Sequence, residues 1–108
     1  MLAVIFGGKG SGKKELVKMF HSIGFTLNTF KEIYNDKEKR YLYEKNVIIL
    51  ERLQDWHSLI EIPHVKLFII FSSSNSKWRK QNDDLFYKEI SMEKNKIQDA
   101  IFVDNFGS

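Results

Sequence analysis

The sequence predicts an α/β domain, in which a mostly parallel sheet of about five strands lies between layers of helix. Three observations predict it. Apolar runs recur at Leu2–Phe6, Val47–Leu50 and Val65–Phe71, the last broken only by Lys66. A strand apolar on both sides is one buried on both faces, which is the condition of a parallel sheet. The segments between these runs carry helical spacing or mixed charge, and a glycine-rich turn follows the first run directly.

Taken in order, Leu2–Phe6 is a buried strand, and a helix follows from Gly12 to about Ile23. Leu16, Val17, Met19, Phe20 and Ile23 supply its apolar face, and Gly24 is placed to stop it. Phe25–Leu27 reads as a short second strand. Phe30 to Lys45 reads as a charged helical segment anchored by Ile33, Tyr34, Tyr41 and Leu42. Val47–Leu50 is a strong strand, and a helix about Gln54–Ile60 ends before Pro63, the only proline. Val65–Phe71 is the next strand. The run Ser72–Ser76 reads as a turn or cap, Trp78 to Lys96 as helix with a break near Asn82–Asp84, and Ile101–Val103 as the last strand.

Composition narrows the function. A chain of 108 residues with 43% hydrophobic and 14% aromatic content has enough apolar material for one core, so residues 1–108 are read as a single domain. The absence of cysteine excludes disulfides, thiolate metal sites and a cysteine nucleophile, and it suits a reducing compartment. With no leader-like or membrane-length run, a cytoplasmic protein is expected. The net charge of +3 is spread among acids, as in residues 31–46, so a nucleic-acid groove is not expected. His21, His57 and His64 fall at no metal-ligand spacing, and no metal site is expected from them.

The chemistry-bearing motif is the turn after the first strand. Gly7, four residues, Gly12 and Lys13 fit G-x-x-x-x-G-K, with the required strand before and helix after. Such a loop turns its backbone amides inward around phosphate oxygens, the helix adds its positive end, and the lysine reaches the terminal phosphates. Gly8, Gly10 and Gly12 would give close backbone approach, Ser11 an amide and a hydroxyl, and Lys13 the principal charge; Lys9 would project from the loop. The motif then departs from its usual form. The residue after the lysine is Lys14 in place of a hydroxyl that would ligate magnesium. Lys14 would repel the metal or pair with phosphate itself.

Glu51 follows a buried strand directly, where an open parallel sheet gathers its ligands. It is either a base or water-mediated metal holder, or a surface acid. Arg52 is either an acceptor-phosphate clamp or half of a structural salt bridge. Arg79, with Lys80, would stabilise transferring phosphoryl oxygens or simply solvate a helix face. Trp78 stacks on a base or packs locally, and Asp83-Asp84 reads as a helix cap before a metal site. Tyr34, Tyr41 and Tyr43, if uncovered, would offer a dimer or partner surface.

Three places together resemble the P-loop kinases of the nucleoside-monophosphate kinase group, above all phage deoxynucleoside-monophosphate kinases and phosphomevalonate kinases. They are the loop Gly7–Lys13, the strand and acid–base pair Val47–Arg52, and Asp99–Gly107, which is similar to a final strand ending in Asn-x-Gly. Ser76–Lys80 falls in the position of the arginine-bearing lid. The resemblance implies a P-loop NTPase-like three-layer sandwich, ATP or GTP as the donor, and phosphoryl transfer to a small phosphorylated acceptor such as a nucleoside monophosphate. It also implies Asn105 as a contact to the base. The family's aspartate after the lysine is Lys14 here, and the acceptor-binding stretch before Val47 is much shorter. The alternative is therefore a kinase-like binding module, catalytically weak or inactive. It would take nucleotide or a protein partner, or a second copy of the chain, without magnesium.

Overall fold

The computed structural model of the chain describes residues 1–8, 10–71 and 86–104. Its centre is β1 (Leu2–Gly7), in which every residue is buried. Leu2, Val4 and Phe6 face one side of the sheet and Ala3 and Ile5 the other, each group within its own apolar cluster. This is why the strand shows no alternation in sequence: both of its faces are interior.

Four further strands, β2 (Thr26–Asn28), β3 (Asn46–Ile49), β4 (Val65–Phe71) and β5 (Ile101–Asp104), complete a five-stranded sheet in the order β2-β3-β1-β4-β5. Every pairing is parallel. β1 pairs with β3 from Leu2↔Asn46 to Ile5↔Ile49, and with β4 from Leu2↔Val65 to Gly7↔Ile70. The α/β sandwich expected from the apolar runs is the architecture observed.

Connections that travel in opposite directions along a parallel sheet must lie on opposite faces if each crossover is right-handed. The chain obeys this. The step from β1 outward to β2 uses α1 (Lys13–Ser22), whose Leu16, Val17 and Phe20 pack with Ala3, Ile5 and Ile70. All later steps travel the other way and cover the other face. They use α2 (Phe30–Tyr34), the 3-10 turn Leu53–Ser58 and the helical residues 86–92, here α3, through Ile33, Leu53, Trp56 and Phe86.

Two helices expected from the sequence take other forms. The segment Phe30–Lys45 is not one helix. α2, opened by a capping box between Thr29 and Glu32, stops at Tyr34, and a separate 3-10 turn occupies Arg40–Leu42. The Asp36 carboxylate accepts from the backbone amides of Glu38 and Arg40 and from the Arg40 side chain. It offers the backbone partners outside a continuing helix, which is how aspartate breaks helices. The second is Gln54–Ile60, which forms a 3-10 turn over Leu53–Ser58. Leu53, Trp56 and Leu59, all buried, recur every third residue, the period of a 3-10 turn. The expected turn at Ser72–Ser76 and the expected break at Asn82–Asp84 lie outside the described residues.

The end of β1 tolerates no side chain. A Cβ on Gly7 would lie 2.5 Å from Ile70 Cγ2, 2.7 Å from the Ile70 carbonyl oxygen and 2.6 Å from Ser11 Oγ. The Ile70 oxygen is backbone of the neighbouring strand and cannot step aside. Gly7→Ala is expected to cost about 2 kcal/mol or more through overpacking, read as a lower midpoint in urea unfolding. A midpoint equal to wild type would show that the strand end is looser than this packing.

Candidate functional site

The two strands with oppositely directed connections, β1 and β3, are neighbours, so their C-terminal ends flank the crevice where open α/β sheets bind ligands. From β1 the chain enters the glycine loop. Ser11 is buried and its amide donates to the Gly8 carbonyl oxygen at 3.2 Å, closing a tight turn. Gly12, in the left-handed region at φ 102°, is the N-cap of α1 and supplies no side-chain acceptor. The first-turn amides of α1 thus lack the side-chain oxygen that usually caps a helix start.

Lys13 folds back over this loop. Its Nζ donates to the Gly7 carbonyl oxygen at 3.1 Å. Burial holds the pKa of its ammonium below the ordinary lysine value, and the Glu51 carboxylate opposes that shift. A cation and an acid separated by 38 positions in sequence therefore lie near enough, at the switch between β1 and β3, for the acid's charge to act on the cation. Lys14, one residue on, is exposed.

Glu51 is held from below. Leu50, buried, donates its amide to the Ile5 carbonyl oxygen at 2.8 Å, continuing the β1–β3 ladder. Two residues later the Leu53 amide donates to Glu89 Oε1 at 2.7 Å, and Trp56 Nε1 donates to the Lys96 carbonyl oxygen at 2.8 Å. The exposed pair Glu51-Arg52 is the span between these anchors. Arg52 Nη2 reaches Asp55 Oδ1 at 3.2 Å, so its guanidinium is engaged on its own turn.

Beyond Glu51 lies a cleft of about 430 Å³ between the ends of β2 and β3 and the start of α2. Leu27, Phe30 and Ile49 form its apolar walls, and Lys31, Glu51 and Asp55 are its charged side chains. Neither this cleft nor the role of Asp55 was anticipated from sequence. Leu27 and Phe30 read there only as strand and helix residues, and Asp55 only as a polar residue within a helix.

The structure brings Gly8, Gly10, Ser11, Gly12, Lys13 and Glu51 to one end of the sheet, with Lys14 and Arg52 at its margin. Lys9, Lys80, Trp78, Asp83, Asp84, Arg79 and Asn105 lie outside the described residues. Of the three tyrosines proposed as a surface, Tyr34 and Tyr43 are exposed, and Tyr41 packs against the core. Among the described residues, no helix is long and apolar enough to cross a membrane.

The chain matches no protein-family model and no curated protein. It is similar in structure to the crystal structure of an uncharacterized protein from Eubacterium ventriosum ATCC 27560. The TM-score is 0.53 at 14% identity, covering 98% of this chain and 88% of that one. At that identity the likeness concerns the fold alone, and it agrees with the all-parallel α/β architecture.

The electrostatic link between the two sides of the crevice is open to direct test. Glu51→Gln removes the influence that raises the Lys13 pKa and leaves the burial that lowers it. The Lys13 titration, followed by NMR at Cε, is expected to move to lower pH in the variant. An unmoved curve would mean that the two side chains do not sense each other.

Proposed function

We propose that the chain binds a nucleoside triphosphate, ATP or GTP, by its phosphates at residues 7–13. It transfers the terminal phosphoryl group to a small phosphorylated acceptor, such as a nucleoside monophosphate, held beside Glu51, as do the nucleoside-monophosphate kinases its sequence resembles. One observation carries this proposal. The Lys13 ammonium is folded over a glycine loop at the sheet's switch point and feels the carboxylate of Glu51. A single neutral carbonyl is a modest partner for that ammonium, and a phosphate oxygen in the same place would be a charge-assisted one.

Each group then has a role in the transfer. Loop amides and Lys13 hold the donor, and the first turn of α1 faces its negative charge. An oxygen of the acceptor, a phosphate oxygen in a nucleoside monophosphate, forms a bond to the γ-phosphorus while the bond to the β–γ bridging oxygen breaks. That electron pair departs with the nucleoside diphosphate, and any proton on the attacking acceptor oxygen passes to the Glu51 carboxylate. Arg79, the family's lid cation by resemblance, would stabilise the transferring oxygens.

Magnesium ordinarily accompanies such nucleotides, but the described residues do not fit it. Lys14 stands where the motif has a metal-ligating hydroxyl, and no group of three or more His, Asp or Glu comes together among the described residues. This favours a second reading of the same site, a module that binds nucleotide without the metal and turns it over weakly or not at all. Lys14 would then supply positive charge in the metal's stead.

Thermal unfolding with ATP or GTP, in excess Mg²⁺ or in EDTA, tests both. Ligand at about 100 times its Kd adds ~2.7 kcal/mol, a rise of several degrees in a domain of this size. A rise that Lys13→Ala abolishes is expected. If it needs Mg²⁺, phosphoryl transfer is favoured; if it is equal in EDTA, the binding module is. The same curve for every nucleotide and buffer would overturn nucleotide binding altogether.

A further inference from the structure

We propose that Glu89 is a positioning residue for Glu51: through its bond to the Leu53 amide, α3 sets where the Glu51 carboxylate stands relative to the glycine loop. This role rests on the phosphotransfer reading, in which Lys13 holds the donor and Glu51 meets the acceptor.

The turn that follows Glu51 does not cap itself. Arg52 is the N-cap of the 3-10 turn Leu53–Ser58, and its side chain makes no capping bond, its guanidinium being engaged with Asp55. The Leu53 amide is the first of the turn and has no acceptor within it. Glu89 Oε1, 36 positions along the chain, accepts from it at 2.7 Å. A carboxylate that accepts from an amide makes a stronger bond than two neutral groups do. On the other side of Glu51, the Leu50 amide is pinned to the Ile5 carbonyl oxygen at 2.8 Å. Glu51 therefore lies on a short bridge with one end on β1 and the other on α3.

The same helix touches the opposite side of the crevice. Phe86, one helical turn before Glu89, is buried and stacks on Phe6, with ring centroids 5.7 Å apart and planes 17° from parallel. Phe6 is the residue before Gly7, where the glycine loop begins. Residues three apart share a helix face. One face of α3 thus holds the end of β1 through Phe86 and the Glu51 bridge through Glu89. Two further bonds fasten the turn to the chain beyond α3. His57 meets Glu93, and Trp56 Nε1 donates to the Lys96 carbonyl oxygen at 2.8 Å. Fixed to both sides, α3 acts as a spacer between the loop that carries Lys13 and the bridge that carries Glu51.

Two variants of the whole chain separate reach from charge. Glu89→Asp keeps the charge and shortens the arm by one methylene, whereas Glu89→Gln loses the charge and keeps an oxygen at the same reach. Each would be followed without nucleotide, by hydrogen exchange at the Leu53 amide and by the Lys13 titration read by NMR at Cε. In Glu89→Asp the Leu53 amide is expected to exchange about tenfold faster or more. The Lys13 titration is expected to move to lower pH, toward its position in Glu51→Gln, because the Glu51 carboxylate is what opposes the effect of burial. Glu89→Gln is expected to leave both readouts near wild type. Leu53 protection that survives Glu89→Asp, a Lys13 curve that does not move to lower pH once that protection is lost, or equal displacement of Lys13 by both variants would overturn the proposal. Thermal unfolding of the wild type with ATP forms a separate arm. No shift there would overturn the nucleotide reading and leave the hold of Glu89 on Glu51 standing.

Discussion

The direction in which the chain leaves β1 and β3 governs the rest of the molecule. From β1 it travels outward to the sheet edge, and from β3 it travels back past β1 to β4. Right-handed crossovers force those two journeys onto opposite faces, so the loops part above the sheet and leave a crevice between them. Gly7 and Lys13 come to it from one side, Leu50 and Glu51 from the other. Gly12 turns the glycine loop in the left-handed region, but the opening itself follows from the strand order.

Within that frame, rigidity is distributed unevenly. The glycine loop is pressed against its neighbours at Gly7 and tied across by Ser11 and Lys13. The Glu51-Arg52 span is anchored at its ends, by the β1 ladder through Leu50 and by Glu89 through the Leu53 amide, and Arg52 is tied to Asp55 through its side chain and its carbonyl oxygen. The carboxylate of Glu89 is thus a positioning group acting from a distant part of the sequence. It satisfies a half-buried amide that a 3-10 turn leaves without an intrahelical partner.

The elements legible in sequence were those whose signal is local and whose faces are both buried. Leu2–Phe6 and Val65–Phe71 announce themselves as apolar runs, and the loop at residues 7–13 announces itself by glycine spacing. What escaped was decided by side chain–backbone bonds and by period. Asp36 breaks a charged segment that composition alone reads as helix, and the spacing of Leu53, Trp56 and Leu59 fits a three-residue turn better than an α-helix. The Lys13–Glu51 proximity was expected only in outline, from strand ends. The cleft was invisible, because its walls come from β2, α2 and the end of β3, which no sequence spacing relates. The Arg52–Asp55 pair was weighed as one of two roles for Arg52, but its partner has no signature beyond a three-residue interval.

The register of the central strand has a consequence for the order in which the molecule is made. β1 is the first element of the described chain, yet one of its two partners is β4, with Leu2 against Val65 and Gly7 against Ile70. The snug seat of Gly7 is formed in part by Ile70 itself. A nascent chain therefore carries the complete glycine loop long before the surface that shapes it exists, and such non-local pairing is slow to close. During synthesis the glycine loop is complete before Ile70 exists, and the close seat at Gly7 can form only after that residue, 63 positions later, has emerged.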